Sequence, residues 1–255
     1  MIFYFSATGN NRHIAETLAS KTGESVQSIN ECIQKEQYRF SLSEGEMLGI
    51  VTPTYFWGLP KSVCDFLERF EISAHGKPYC FYVASYGTTN GKTGKQAEDY
   101  LKAKGFTLDA KFSVKMPDTW TPIFDLSDHE KVRTMTIRAE REIDAVAGKI
   151  QSRQKGDFMK MKTPAFLGSL YYDWAYPHFS TTDHFTVTDS CVGCGLCAKN
   201  CPAKAINIVD GKPVWVKDSC AVCLGCLHNC PKFAIDYGKN TRKHGQYHYS
   251  DAKQK

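Results

Sequence analysis

Apolar and polar positions alternate between two periods from the first residue. Ile2-Phe3-Tyr4-Phe5 is a short apolar run of strand type, and Ile14, Ala15, Leu18 and Ala19 then recur at helical spacing. A weaker strand covers about Ser25 to Ile29, and Met47 to Thr52 reads as the next. Pro60 stands where a helix accepts it, at the first turn, and Val63, Phe66, Leu67 and Phe70 give that helix a buried stripe. Tyr79 to Ser85 is a further strand, followed by a Gly/Thr-rich loop to Gly94, a helix to about Lys104 and a strand near Phe112 to Met116. The next helix is predicted to open on Ser127-x-x-Glu130, a capping box, and to bury Val132, Met135, Ala139, Ile143, Val146 and Ile150. Five strands alternating with helices predict an α/β fold over residues 1–155, an open doubly wound parallel sheet covered on both faces.

Beyond that stretch the pattern changes. Gln151 to Lys162 is basic and polar, and the run from Phe166 to Tyr176 is strongly aromatic. Residues 156–186 are therefore read as a linker that docks two domains, with a partner-facing patch as the other reading. Residues 187–238 contain one unit twice, since Pro202-Ala203-Lys204-Ala205-Ile206 answers Pro231-Lys232-Phe233-Ala234-Ile235. Each unit reads as a loop, a short helix and a strand, and Asp210-Gly211 marks a hairpin turn between them. Residues 239–255 show no apolar period and are predicted to be a mobile basic tail.

Composition adds modest constraints. The 255 residues allow one good-sized domain and a small one. Net charge is +5, and most of it lies in Lys239, Arg242, Lys243, Lys253 and Lys255, opposed there by Asp251 alone. Such a tail is a solvated end or a steering surface for an acidic partner, and nothing argues for nucleic acid. No apolar run approaches the roughly 18 residues of a membrane span. An opening without a basic, long apolar leader, together with oxygen-sensitive thiolates, places the expected compartment in the reducing cytoplasm.

The cysteines carry the sharpest signal. Eight of the eleven fall in two runs, Cys191-x-x-Cys194-x-x-Cys197-x-x-x-Cys201-Pro202 and Cys220-x-x-Cys223-x-x-Cys226-x-x-x-Cys230-Pro231. This is the spacing of two-cluster bacterial ferredoxins, in which three cysteines hold one [4Fe–4S] cube and the fourth reaches the other. It assigns Cys191, Cys194, Cys197 and Cys230 to cluster I, and Cys201, Cys220, Cys223 and Cys226 to cluster II. Gly193, Gly195 and Gly225 are expected to supply positive φ where the backbone crowds the inorganic core. Structural zinc prefers two cysteine pairs a dozen or more residues apart, and disulfides fit poorly with an odd cysteine count. Cys32, Cys64 and Cys80 lie outside the runs and read as small buried hydrophobes.

Three loops leave the carboxyl ends of the predicted strands, where open parallel sheets bind ligands. Ser6-Ala7-Thr8-Gly9-Asn10-Asn11 runs into a helix N-terminus, a geometry that binds phosphate and that also occurs as a plain capping turn. Pro53-Thr54-Tyr55-Phe56-Trp57-Gly58 sets three aromatics at a strand end, suited to stacking on a planar heterocycle unless core packing claims them. Ser85-Tyr86-Gly87-Thr88-Thr89-Asn90-Gly91 adds an aromatic and backbone amides. Gly87 to Thr93 is one residue short of a P-loop, and no Gly-x-Gly-x-x-Gly follows the first strand, which favours a mononucleotide over a dinucleotide. No acid–base or nucleophile constellation emerges, so no catalytic residue is assigned.

A start reading Phe3-Tyr4-Phe5-Ser6-Ala7-Thr8-Gly9-Asn10-Asn11, joined to the paired cysteine runs, resembles the flavodoxin–ferredoxin fusion electron-transfer proteins of iron–sulfur flavoprotein type from anaerobes. The resemblance covers nearly the whole chain. It implies a flavodoxin-like five-stranded domain and a small α+β two-[4Fe–4S] ferredoxin domain. It also implies FMN, with its phosphate on Ser6–Asn11 and its ring between Pro53–Gly58 and Ser85–Gly91. Flavodoxins commonly end the phosphate loop in threonine, whereas this chain has Asn11. The expected function is an electron relay between two clusters and FMN, serving a ferredoxin-like redox partner. The alternatives are an FMN-dependent reductase of a quinone, nitro or disulfide compound, and a redox sensor whose flavodoxin domain is empty.

Overall fold

The order of strands in the main sheet decides which loops of the chain meet. The computed structural model of the protein describes residues 1–161 and 163–250. Strands β1 (Ile2–Tyr4), β2 (Val26–Ser28), β4 (Leu48–Pro53), β6 (Cys80–Tyr86), β7 (Ala110–Lys115) and β8 (Gly156–Asp157) pair in parallel in the order β2-β1-β4-β6-β7-β8. The intervening β3 (Arg39–Leu42) and β5 (Glu71–Ala74) form a small parallel pair of their own. The first five strands of the main sheet are the ones the pattern predicts, in the flavodoxin-type order. The sixth has two residues and no apolar pattern. It forms because the chain leaving the last long helix runs back along the open edge, pairing Gly156 with Ala110.

Side chains alternate across the sheet, as strand geometry requires. Ile2, Val51, Val83 and Phe112 face helices α1 (Asn10–Thr22) and α5 (His129–Gln151). Phe3, Ile50, Tyr82 and Ala84 face α3 (Lys61–Arg69) and α4 (Thr93–Ala103), with Ile29 and Cys32 of α2 (Ile29–Lys35) in the same core. Cys64 and Cys80 are buried there too. Two details of α5 differ from the expected capping box. Asp128, not Ser127, is the cap and accepts from Lys131 N at 3.0 Å, while Ser127 is taken up by Asp125 at 2.6 Å. Thr136 is buried next to half-buried Met135, since its hydroxyl donates to Val132 O at 2.9 Å and needs no outside partner.

The aromatic stretch forms α6 (Ala165–Phe179), one face of which packs on the sheet domain. Tyr172 donates to Leu59 O at 2.7 Å, and Tyr176 accepts from Lys61 N at 2.8 Å. Phe166, Leu170 and Trp174, four residues apart, are exposed on the opposite face. The repeated units follow. In the first, α7 (Leu196–Lys199) precedes β10 (Ile206–Val209), which turns at Asp210-Gly211 into β11 (Lys212–Trp215). In the second, α8 (Gly225–His228) precedes β12 (Ile235–Tyr237), which pairs with β9 (Phe185–Val187).

The expected mobile tail needs correction over 239–250; the remainder, 251–255, lies outside the described residues. Helix α9 (Thr241–His244) is followed by a strap in which Tyr247 and Tyr249 are buried. Tyr247 donates to Asn10 Oδ1 at 2.7 Å, Tyr249 N donates to Thr8 O at 2.9 Å, and the Tyr249 ring stacks on His13. Two tyrosines at alternate positions outweigh the charges around them, because each buries a large ring and finds a partner for its hydroxyl. Among the described residues no helix is long and apolar enough to cross a membrane.

Candidate functional site

A cavity of about 280 Å³ opens at the carboxyl ends of β1, β4, β6 and β7, where the strand order reverses. Ser6, Ala7, Thr8, Asn10 and Asn11 line it from the first loop, Pro53 to Trp57 from the second, and Ser85, Tyr86 and Gly87 from the third. The three loops singled out in the sequence therefore meet at one place. Gly9, Gly58 and Gly91 stand behind the wall. Gly9 adopts φ +95° at the start of α1, and Gly91 lies so close to Trp57 that a Cβ would sit 2.0 Å from its carbonyl oxygen.

The first loop is braced from within and from the C-terminal strap. Gly9 N donates to Ser6 Oγ at 3.1 Å, while the contacts from Tyr247 and Tyr249 hold Asn10 and Thr8. The leading amides of α1 face this loop and have no partners inside the helix. Asn11 Oδ1 and Thr54 Oγ1 are buried without a hydrogen-bond partner among the described residues. Polar atoms left unpaired at a cavity wall, beside a helix N-terminus, fit a phosphorylated, polar-edged ligand such as FMN.

The second loop is a tight turn under strain. Tyr55 N donates to Gly58 O and Gly58 N to Tyr55 O, both at 2.9 Å, around Phe56 at φ +47° and Trp57 at φ +66°. Such a turn ordinarily takes Asn-Gly, and a left-handed residue with a side chain costs about 1–2 kcal/mol. The aromatic rings are the return: Trp57 packs on Tyr171 at 4.3 Å between centroids, and Phe56 stacks on Phe179 at 5.8 Å. All four line the cavity. The near-P-loop does not form a phosphate cradle, since Lys92 pairs with Asp173 and Thr93 donates to Asn90 O.

A fourth loop, Met116 to Phe124, completes the wall and was not singled out in the sequence. The signal was available, because it also leaves a strand end and carries Trp120 between Pro117 and Pro122. Asp118 is its chemical feature. Oδ1 accepts from Trp120 N at 3.1 Å, and the other oxygen lies against Gly87, where a Cβ would come within 2.2 Å of it. Burial pushes this carboxyl up to about 6, opposed only by the Trp120 amide. His228 of α8 holds the same loop, donating from Nε2 to Thr119 O at 2.9 Å while Nδ1 accepts from Tyr247 N. Its burial lowers the ring to about 4 and keeps it neutral.

The cysteines gather in two sets. Cys191, Cys194, Cys197 and Cys230 surround one small cavity; Cys201, Cys220, Cys223 and Cys226 surround another. Backbone amides point at sulfur in both: Ala205 N to Cys201 Sγ at 3.4 Å and, at the matching place, Ala234 N to Cys230 Sγ at 3.2 Å. Four thiolates around a hollow, with amide donors turned to the sulfurs, suit a [4Fe–4S] cube. Burial raises the Cys223 thiol to about 12 and Cys220 to about 11, and a cation held between them would favour the thiolates. The glycines depart from expectation. Gly193 and Gly195 have positive φ, but in the second run Val222 and Leu224 take those conformations and Gly225 does not. Gly225 has room for a Cβ, which would lie in ordinary contact with Cys223 Sγ at 3.5 Å and Ala7 Cβ at 3.6 Å.

Cys223 also lines the first cavity, together with Val222. One cysteine thus belongs to both a four-sulfur set and the loop-lined pocket.

The comparisons with known proteins agree with this geometry. Residues 1–145 match the family model of the flavodoxin domain, and residues 190–235 match that of the 4Fe-4S dicluster domain. No curated protein matches the chain. Among solved structures, the rubredoxin oxygen:oxidoreductase from the anaerobe Desulfovibrio gigas is similar at 21% identity, over 56% of this chain and 35% of that one, with a TM-score of 0.34. The chain thus spans about a third of that protein's length, and so distant a likeness bears on neither fold nor function. A flavodoxin domain implies FMN and a dicluster domain implies iron–sulfur clusters, which makes this an electron-transfer protein of iron–sulfur and flavin type. With more than half its length accounted for by that match, the chain belongs to the flavodoxin domain family and carries a 4Fe-4S dicluster domain behind it.

Proposed function

We propose that the protein relays electrons between two [4Fe–4S] clusters and a bound FMN, with cluster II as the immediate neighbour of the flavin. The observation that carries this is Cys223, which lies both in the second sulfur set and in the wall of the flavin cavity. Cys191, Cys194, Cys197 and Cys230 would hold cluster I, and Cys201, Cys220, Cys223 and Cys226 cluster II. Bound FMN supplies a centre that accepts two electrons where each cube passes one.

The chain's own residues set the terms of the exchange. Ser6 to Asn11 and the start of α1 would take the phosphate; Tyr55, Trp57, Tyr86 and Gly87 would border the ring. Asn229 donates to Ala7 O at 2.8 Å, which ties the end of α8 to the first loop and would hold the two centres in one arrangement. Cys194 is exposed, which gives cluster I a way out to a protein redox partner. In domain terms, residues 1–155 hold the flavin, 156–186 dock, 187–238 hold the clusters, and 239–250 bind the two back together.

A second reading, a reductase of a small planar acceptor, draws on the apolar mouth of the cavity. Ile123 lines the cavity while 68% exposed, beside Trp120 and Phe124. One experiment separates these readings from their failure. Anaerobically purified protein should contain iron and sulfide for two cubes and one flavin per chain, and should pass electrons to ferredoxin-type proteins in a single turnover. Colourless protein, or zinc without acid-labile sulfide, would sink both; fast steady-state turnover of quinones or nitro compounds would favour the second.

A further inference from the structure

We propose that Asp118 is the proton donor of the flavin cavity, so that electrons enter through the Cys223 loop while the accompanying proton comes from this carboxyl. The inference rests on the flavin reading above and goes beyond it by assigning the chemistry of two-electron reduction to one side chain.

The composition of the wall leads there. Its titratable groups are Tyr55, Tyr86, Asp118, Tyr171 and Cys223, and among the described residues it contains no Lys, Arg or His. Two electrons placed in a ring with no cation beside it would build up charge in a poorly solvated pocket, where charge is costly. A proton must arrive with them. Burial moves the hydroxyls of Tyr55 and Tyr86 upward, out of the neutral range, and Cys223 would be held as a thiolate on cluster II. Asp118 is the single carboxyl of the wall among the described residues, and it titrates at about 6. A donor works best when its pKa lies near the working pH.

The geometry suits the role. Asp118 sits at the carboxyl end of β7 and leans on Gly87 in the third ring-bordering loop, with the space for its Oδ2 left by the missing side chain. The Trp120 amide holds Oδ1, so the remaining oxygen is the one that presents the proton. In the step the Asp118 O–H bond would break and its proton pass to the bound flavin, which would take up two electrons with it, one supplied by each cluster. Asp118 is left as carboxylate and recovers its proton from water at the cavity mouth.

The test uses the cluster- and flavin-loaded protein with dithionite as electron source, following flavin bleaching in stopped flow across pH 5 to 8.5, in H₂O and D₂O. The wild type should slow as pH rises through about 6 and should slow in D₂O. Asp118→Asn should be slower by about a hundredfold per bound flavin, flat with pH and insensitive to D₂O, and Asp118→Glu should restore the pH profile. Carbon-13 carboxyl NMR of the flavin-free protein gives a second readout: one signal titrating near 6, lost in Asp118→Asn. An Asp118→Asn variant that binds FMN and keeps the wild-type rate and pH profile would overturn the inference, as would a carboxyl signal at the ordinary Asp value. Wild-type protein that takes up no FMN would instead overturn the flavin reading itself.

Discussion

The two cysteine runs match residue for residue in spacing, yet they occupy opposite environments. Val192 is 62% exposed and Leu196 41% exposed around the first set, and Cys194 is exposed. In the second run Val222 and Leu224 are 3% and 1% exposed, packed with Phe185, Leu227 and Tyr237, and Cys223 lines the cavity of the sheet loops. Spacing alone gives both runs the same ligand chemistry. What differs is the neighbour: water beside the first run, the flavodoxin loops beside the second.

The backbone records the same difference. Positions at matching places in both runs have positive φ, filled by Gly193 and Gly195 in one and by Val222 and Leu224 in the other. A side chain in that conformation costs about 1–2 kcal/mol. Complete burial of Val or Leu contributes about 1.5–3 kcal/mol, which offsets the strain only where a core is present to receive it. At Gly193 no such return exists, because a Cβ would meet Gly211 O at 2.7 Å. The solvent-facing run keeps glycine and the buried run does not.

If the two environments matter for function, ligand replacement should show it most strongly. Cys194→Ser and Cys223→Ser should each lose about half the iron, since a lost ligand costs its cube. Only Cys223→Ser should also disconnect the flavin from dithionite-fed clusters, and equal slowing in both variants would erase the comparison. Exchanging the residues that differ most between the short helices is the next test. Gly225→Leu extends a side chain beyond a Cβ already in contact with Cys223 at 3.5 Å and Ala7 at 3.6 Å, and should slow cluster-to-flavin transfer and lower the melting temperature. Its mirror, Leu196→Gly, should cost about 1 kcal/mol in denaturant unfolding and leave transfer unchanged.

A pH signature sharpens the buried side further. The folded carboxyl of Asp118 titrates at about 6 against an ordinary 3.8, so the folded state holds its proton more tightly than the unfolded chain. That contribution to stability is complete below 3.8 and is lost as pH rises through 6, to a total of roughly 3 kcal/mol. About half of the loss should fall between pH 5 and 8 in the flavin-free protein, and Asp118→Asn should remove it. The smallest effect belongs to the exposed side, where Val192→Ser should change stability by no more than about 0.5 kcal/mol. A larger loss there would mean that the first run is covered after all.

The sheet and the sulfur sets were legible in the sequence because both are written locally. Five strands followed from apolar runs of a few residues, and the ligand sets from a repeat in which each cysteine's place is counted from its neighbours. The three cavity loops were legible for the same reason, as unusual chemistry at strand ends. The edge strand β8 was not, having two residues and no pattern. The capping box shifted by one residue because Ser127 and Asp128 are both good caps, and only the course of the chain chooses between them.

What tertiary structure alone decided is which surfaces meet. The strap through Tyr247 and Tyr249 reaches Asn10 and Thr8 across almost the whole chain, and its charges hid its aromatic anchors. Asp118 acquires its proton affinity from burial against Gly87 and not from any sequence neighbour. The two cysteine runs are interchangeable on paper, and nothing in their spacing says which one will lie beside the loop-lined cavity. Local sequence specifies bonding types and periodicities, whereas burial, and with it the redox and proton chemistry of a site, arises from contacts between segments that the chain brings together only on folding.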